Sequence, residues 1–327
     1  MKLNCIGPLD PTTYQQHALH RSEKTWPETN CYIDVWIEII HALKLNPLAM
    51  LGMVFSIDFE GDQWTFYKPP HEDLHQLYGI DIQELNIWHS LLNHSIEQLR
   101  RGRMVLIETD AYYLPDTAGT DYKRKHTKTT IGIQSIDATQ RVMGYFHNAS
   151  YFELRADDFV NTFRLDRPLD PDHMPFLAEF ARLDRLKRTN ESDLATISRH
   201  LLAKHFARRP QKNPLRAYAD TYNKDMDWLK KAGLATFHTY AFATLRQLGS
   251  AFEIGAHYLR WLISLEQIER TDLADKCDVI SQLSKSLLLK SARVVNTGKP
   301  SDFSSLLGEM AEAWDHIMHH LGNELNA

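Results

Sequence analysis

Near residue 170 the pattern of this chain changes, and the change bounds what it can fold into. Before it, short β-like runs (Met104 to Thr109, Thr129 to Gln134, Arg141 to Phe146) alternate with helical stretches and glycine or proline punctuation. After it, apolar residues recur at helical spacing over about 176–188, 192–208, 214–232, 234–267, 271–295 and 302–325. Pro214, Gly233, Thr271 before Asp272, and the Gly298 to Pro300 turn punctuate the last four. The join RLDRPLDPDHMP, with Pro168, Pro171 and Pro175, disfavours helix across the break. These features predict an α+β domain over residues 1–170 with an antiparallel sheet, followed by an all-helical bundle over 171–327.

The composition is globular: of 327 residues, 43% are hydrophobic and 24% charged, enough for a sizeable core. No apolar run approaches the roughly 20 residues of a membrane span, and the start MKLNCIGPLDPTTYQQ has no stretch of signal-peptide character. A formal net charge of -5 argues against a general nucleic-acid binder. Cys5, Cys31 and Cys277 are odd in number and far apart, so neither a disulfide framework nor a structural zinc site is expected. Reduced thiols fit a cytoplasmic protein.

Cys31 is the thiol to watch. It sits in TWPETNCYIDVWIEIIHAL, where Pro27 and a Thr29 or Asn30 cap hand over to a helix with Ile33, Trp36, Ile37, Ile40 and Leu43 on one stripe. A thiol in the first turn feels the positive end of the helix dipole and is drawn toward thiolate, the nucleophilic form. Equally, free cysteine is a common core residue. The catalytic reading gains from YKRKHTKTTIGIQSIDATQRVMGYFHNASYFEL, which reads as two strands about a polar turn at Ser135 to Gln140. A hairpin centred near Ala138 places His126 opposite residues 148 to 151. Asn148 would then accept the imidazole N–H and hold the ring toward a thiolate, the logic of a Cys-His-Asn site. Asp137 lies in the turn, too far along the strand to do so. His147 stands in reserve, because a one-residue bulge would exchange its direction with that of Asn148.

The order of a cysteine at a helix start, a histidine at a strand start and an amide one strand later resembles the papain-like superfamily. MVLIETDAYYLPDT followed by His126 resembles, more distantly, the amino-terminal domain of butirosin-biosynthesis protein H type acyltransferases. NCYIDVWIE, DFEGDQWTFYKPP, LYGIDIQELNIW, YYLPDTAGTDY, KHTKTTI and GYFHNASYFEL, spread over residues 30 to 160, resemble the domain-of-unknown-function 1839 family. The relatives usually carry Asp-Pro where this chain has Asn148.

The resemblance implies a papain-like fold for residues 1–170 and acyl or aminoacyl transfer from a carrier-protein thioester to a small amine. Cys31 would carry the acyl group, His126 would act as base, Asn148 would orient His126, and the Cys31 N–H would serve the oxyanion. Asn30 is a candidate second donor, since Thr25 stands where papain-like enzymes place a glutamine. No cofactor is expected beyond the phosphopantetheine arm of an acyl or peptidyl carrier protein as donor, and the family is often encoded beside amino acid:carrier-protein ligases. A peptidase or amidase, or a non-catalytic carrier-protein adaptor, are the alternatives. Asp110, with Glu108, could line an acceptor pocket for a cationic amine or only satisfy loop donors, and Tyr112 and Tyr113 could wall it. Lys123, Arg124, Lys125 and Lys128 bracket His126 and could steer an acidic carrier protein; a second basic run, Arg182 to Arg216, reads as a solvated face. The Asp58, Glu60 and Asp62 loop reads as a structural turn, and His316, His319 and His320 as a helix face rather than a metal site.

Overall fold

The computed structural model describes residues 2–21, 23–166 and 176–326. The prolines Pro168, Pro171 and Pro175 of the join lie outside the described residues. The chain divides into two compact units, one of residues 1–21, 30–47 and 70–188, the other of 22–29, 48–69 and 189–327. The first is α+β and, among the described residues, the regular elements of the second are all helices, the fold classes that the sequence pattern predicts, although the units are not divided at residue 170.

The first unit is built on a seven-stranded antiparallel sheet. Its strands are β1 (Leu3–Asn4), β2 (Asp81–Glu84), β3 (Arg103–Asp110), β4 (Lys128–Asp137), β5 (Val142–His147), β6 (Ser150–Arg155) and β7 (Ala178–Arg182), in the order β2-β7-β3-β4-β5-β6 with β1 beside β4. Helices α1 (Cys31–Ala42), α2 (His71–Tyr78), α3 (Leu91–Arg100) and α4 (Ala156–Thr162) belong to the same unit. Helices cover both sheet faces, so β3 and β4 are buried on both sides and read as nearly continuous apolar runs rather than alternating ones. On one face α1 approaches so closely that a Cβ on Gly132 would meet Ile39 at 3.0 Å and Val35 at 3.3 Å. On the other, Val105, Ile107, Ile131, Ile133 and Tyr145 pack with Leu91 and Leu99 of α3 and Phe159 of α4. Each such fully buried aliphatic side chain contributes about 1.5–3 kcal/mol.

β7 corrects one expectation. Residues 176–188, spaced like an amphipathic helix, hold a strand between β2 and β3, pairing Ile82 with Ala181 and Val105 with Phe180. The period is ambiguous because Ala178, Phe180 and Ala181 are all buried in a five-residue strand.

The second unit follows its sequence pattern closely. Its helices are α5 (Glu191–Ala207), α6 (Pro214–Ala232), α7 (Leu234–Ala241), α8 (Gln247–Ser264), α9 (Asp272–Thr297) and α10 (Ser304–Asn326). Pro214 opens α6 at a position whose N–H has no intrahelical acceptor, Asn213 caps it, and Gly298 ends α9 with φ 70. Between α7 and α8 the residues Phe242–Arg246 form a π-helical turn. No helix among the described residues is long and apolar enough to cross a membrane.

Candidate active site

Cys31 opens α1, and Asn30 caps it: the Asn30 side-chain oxygen accepts from the Tyr32 and Ile33 N–H groups, each at 3.2 Å. Asn30 therefore spends its oxygen on the helix. The Cys31 N–H, at the first helical position, has no intrahelical acceptor. The thiol is half-buried and donates to Thr130 Oγ1 of β4 at 3.8 Å. Thr130 and Gly132 therefore face α1, whereas Thr129 and Ile131 point to the opposite face.

The register of the β4–β5 hairpin decides the histidines. It pairs Gly132 with Phe146, one residue from the expected partner Tyr145, and a bulge lies between Ile133 and Ser135. The ladder does not reach His126. β5 ends at His147, and the chain reverses through a two-residue turn at Asn148 and Ala149 into β6, with His147 paired to Ser150. Asn148 serves that turn with φ 45, a conformation asparagine tolerates better than most residues. The overhanging start of β4 lies instead along the end of β3, where the Ala111 N–H donates to Thr127 O.

His126 accordingly meets Asp110, not Asn148. Its Nδ1 lies 2.6 Å from Asp110 Oδ2, and the other carboxylate oxygen, Oδ1, accepts from the Tyr112 and Thr127 N–H groups. Tyr112 stacks flat on the ring, with centroids 4.4 Å apart, and Tyr113 lies edge-on at 6.5 Å. The side chain is 69% exposed and its Nε2 has no hydrogen-bond partner among the described residues. Asp110 is opposite Lys128 in the register, on the same face as Thr130 and Cys31. Two residues of strand, about 7 Å, separate these points. Cys31 and His126 thus share a face without a hydrogen bond between them.

His147 lies on the other face and completes a separate constellation. Its Nδ1 is 2.5 Å from Asp116 Oδ2, its Nε2 is 2.8 Å from Thr129 Oγ1, and Tyr145 Oη donates to Asp116 Oδ1 at 2.5 Å. The connectivity is that of a hydroxyl-imidazole-carboxylate triad, yet His147 is only 1% exposed. The sheet separates it from Cys31.

Family models described as the DUF1839 N-terminal domain and the DUF1839 C-terminal domain match residues 15–183 and 191–323. The chain belongs to the DUF1839 family. No curated protein matches it.

In this DUF1839 chain the basic residues around His126 are partly spoken for. Lys123 reaches Asp158 at 2.6 Å and lies 5.1–5.6 Å from the Tyr112, Tyr113 and Tyr122 rings, and Lys128 reaches Glu108 at 2.8 Å. Arg124 donates to Gly119 O and stays exposed. Burial pushes the Cys5 thiol up to about 12 and the Cys277 thiol well above the ordinary thiol range. The Asp58 loop is a turn closed by Thr65, with Phe59 and Trp64 bridged. His316 pairs with Asp272, and His320 contacts Arg270.

One further cluster is buried against α1. His20 is buried between two carboxylates of α1, with Nδ1 at 2.5 Å from Glu38 and Nε2 at 3.2 Å from Asp34. Glu38 also accepts from Tyr14 Oη at 2.6 Å and from the His17 N–H at 2.9 Å. Burial draws the His20 pKa down, but the two carboxylates outweigh it and lift it to about 9. The available signal was the pair Asp34 and Glu38, one turn apart on a helix whose residues between Tyr32 and Ile40 are otherwise apolar.

Proposed function

We propose that this chain transfers an acyl or aminoacyl group from a carrier-protein thioester to an amine through acyl-Cys31. The observation that supports the reading most is a half-buried thiol at the first position of a capped helix, on the same sheet face as an exposed imidazole held by a carboxylate. In the first step the Cys31 thiolate attacks the thioester carbonyl carbon, and the Cys31 N–H meets the oxyanion. Collapse breaks the bond to the phosphopantetheine sulfur, which leaves as thiolate and takes from His126 Nε2 the proton that His126 removed from the Cys31 thiol. In the second step the amine attacks acyl-Cys31, His126 Nε2 takes the amine proton, and the Cys31 thiolate leaves. Asp110 holds Nδ1 and so leaves Nε2 as the basic nitrogen, the orienting role first given to Asn148. The ring must close on the thiol when substrate binds, as catalytic contacts commonly do.

Water competes as acceptor, because the His126 side chain is 69% exposed. That exposure favours a hydrolase as the second reading. Intact-mass measurement after mixing with an aminoacylated carrier protein separates the readings. A mass gain equal to the acyl group, absent in Cys31→Ala and discharged only when amine is added, supports the transferase. Discharge without amine supports the hydrolase, and no adduct under any condition overturns both.

A further inference from the structure

The helical unit holds a cavity of about 360 Å³ that the acyl-transfer reading does not use, a volume within the range of small-molecule sites. Its lining is mixed: Trp26, Phe242 and Leu288 stand beside the imidazole of His238, the cations Arg246 and Lys285 and the carboxylate Glu28. Trp26 is held firmly. A Cβ on Gly249 would come within 2.6 Å of its indole, so only glycine lets the ring lie on α8, and its Nε1 donates to Ser281 O at 3.4 Å. The Thr25 and Trp26 N–H groups donate to the Glu253 carboxylate at 2.9 and 2.8 Å. Phe242 and Arg246 come from the π-helical turn, with the guanidinium 5.3 Å from the Phe242 ring. Such turns recur at functional sites. Phe242 is 43% exposed at the cavity wall.

The charges fix the kind of ligand. Arg246 donates to Glu28 at 3.2 Å and to Thr29 O at 3.1 Å, so that pair is neutral and satisfied. Lys285 is different. Its ammonium lies 4.5 Å from the Trp26 ring centroid and has no hydrogen bond or carboxylate partner among the described residues. The indole face engages one side of a group with three donors. One positive charge is left over in a pocket that also presents the flat faces of Trp26 and Phe242. We infer that this cavity binds a small monocarboxylate with a flat or apolar body, its carboxylate on Lys285 and its body between Trp26 and Phe242.

Calorimetric titration of the full-length protein with benzoate, its neutral isostere benzamide, and phenyl phosphate tests the site. Benzoate should bind one to one and at least about tenfold more tightly than benzamide. Lys285→Gln should abolish that preference, and Phe242→Ala should weaken benzoate and benzamide alike. Circular dichroism of both variants checks that the fold is kept. Benzoate no tighter than benzamide, or benzoate unaffected by Lys285→Gln, overturns the proposal. So does tighter binding of phenyl phosphate than benzoate, which would make the site one for phosphate esters.

Discussion

His126 and His147 each set a carboxylate on Nδ1, at 2.6 and 2.5 Å, and they flank the same strand. They differ in face and in water. His126 stands on the α1 face with its Nε2 free, whereas His147 is sealed on the other face with both nitrogens engaged. A histidine beside a carboxylate therefore says little about chemistry. What makes an imidazole available is an unspent nitrogen on the side where a nucleophile waits.

The largest expected effect comes from swapping which histidine is removed. His147→Ala strips Asp116 of its buried partner and should cost about 3–5 kcal/mol of stability, read as a lowered urea midpoint. His126→Ala breaks an exposed pair and should cost at most about 1 kcal/mol, while slowing discharge of acyl-Cys31 to an amine by roughly 10²–10⁴-fold. Asp110→Asn should leave the fold intact and share part of the kinetic loss. A stable, inactive His147→Ala variant beside an active His126→Ala variant would reverse the assignment.

His20 sharpens the comparison: it too is buried, and it lies between two carboxylates, Asp34 and Glu38, that hold it charged. With a pKa raised from 6.5 to about 9, the folded protein binds this proton more tightly than the unfolded chain. The stabilisation is complete below pH 6.5 and is lost as pH rises toward 9. Its size is on the order of 3 kcal/mol. The urea midpoint of the first unit should fall between pH 6.5 and 9, and His20→Gln should start lower and flatten that slope. An unchanged slope in the variant would move the titration to another group.

How far the residues announced this arrangement depends on the range of the forces involved. The Cys31 helix was legible because Asn30, Pro27 and the Ile33 to Leu43 stripe all act within a few turns. β3 and β4 were legible as apolar runs, and the helices from Glu191 onward as periodic ones. The strand Ala178–Arg182 was not, since a short segment buried on both faces has no distinctive period. The pairing of His126 was missed because extrapolating the β4–β5 register assumed that β5 continues opposite it. β5 stops at His147, and only β3 remains alongside. Asp110, placed in sequence as a pocket residue, is where that neighbouring strand ends. His20 was invisible because its partners lie on α1, and tertiary packing alone brings the polar amino-terminal segment onto that helix.

The smallest effect tests the turn that keeps Asn148 from His126. At φ 45 a non-glycine side chain is strained, and asparagine tolerates the conformation better than most residues. Asn148→Gly removes the Cβ and should be neutral or stabilising by a few tenths of a kcal/mol. Asn148→Ala keeps the Cβ without the amide and should cost about 1 kcal/mol. Neither change touches the His126–Asp110 pair, so the rate of acyl-Cys31 discharge should stay within about twofold of the parent, since no transition-state contact is lost. Thermal unfolding and single-turnover discharge of both variants check this. If Asn148→Gly folds as well as the parent but discharges acyl-Cys31 ten times more slowly or worse, Asn148 orients His126 during turnover after all. The hairpin end would then have to swing across to the β3 side when substrate binds.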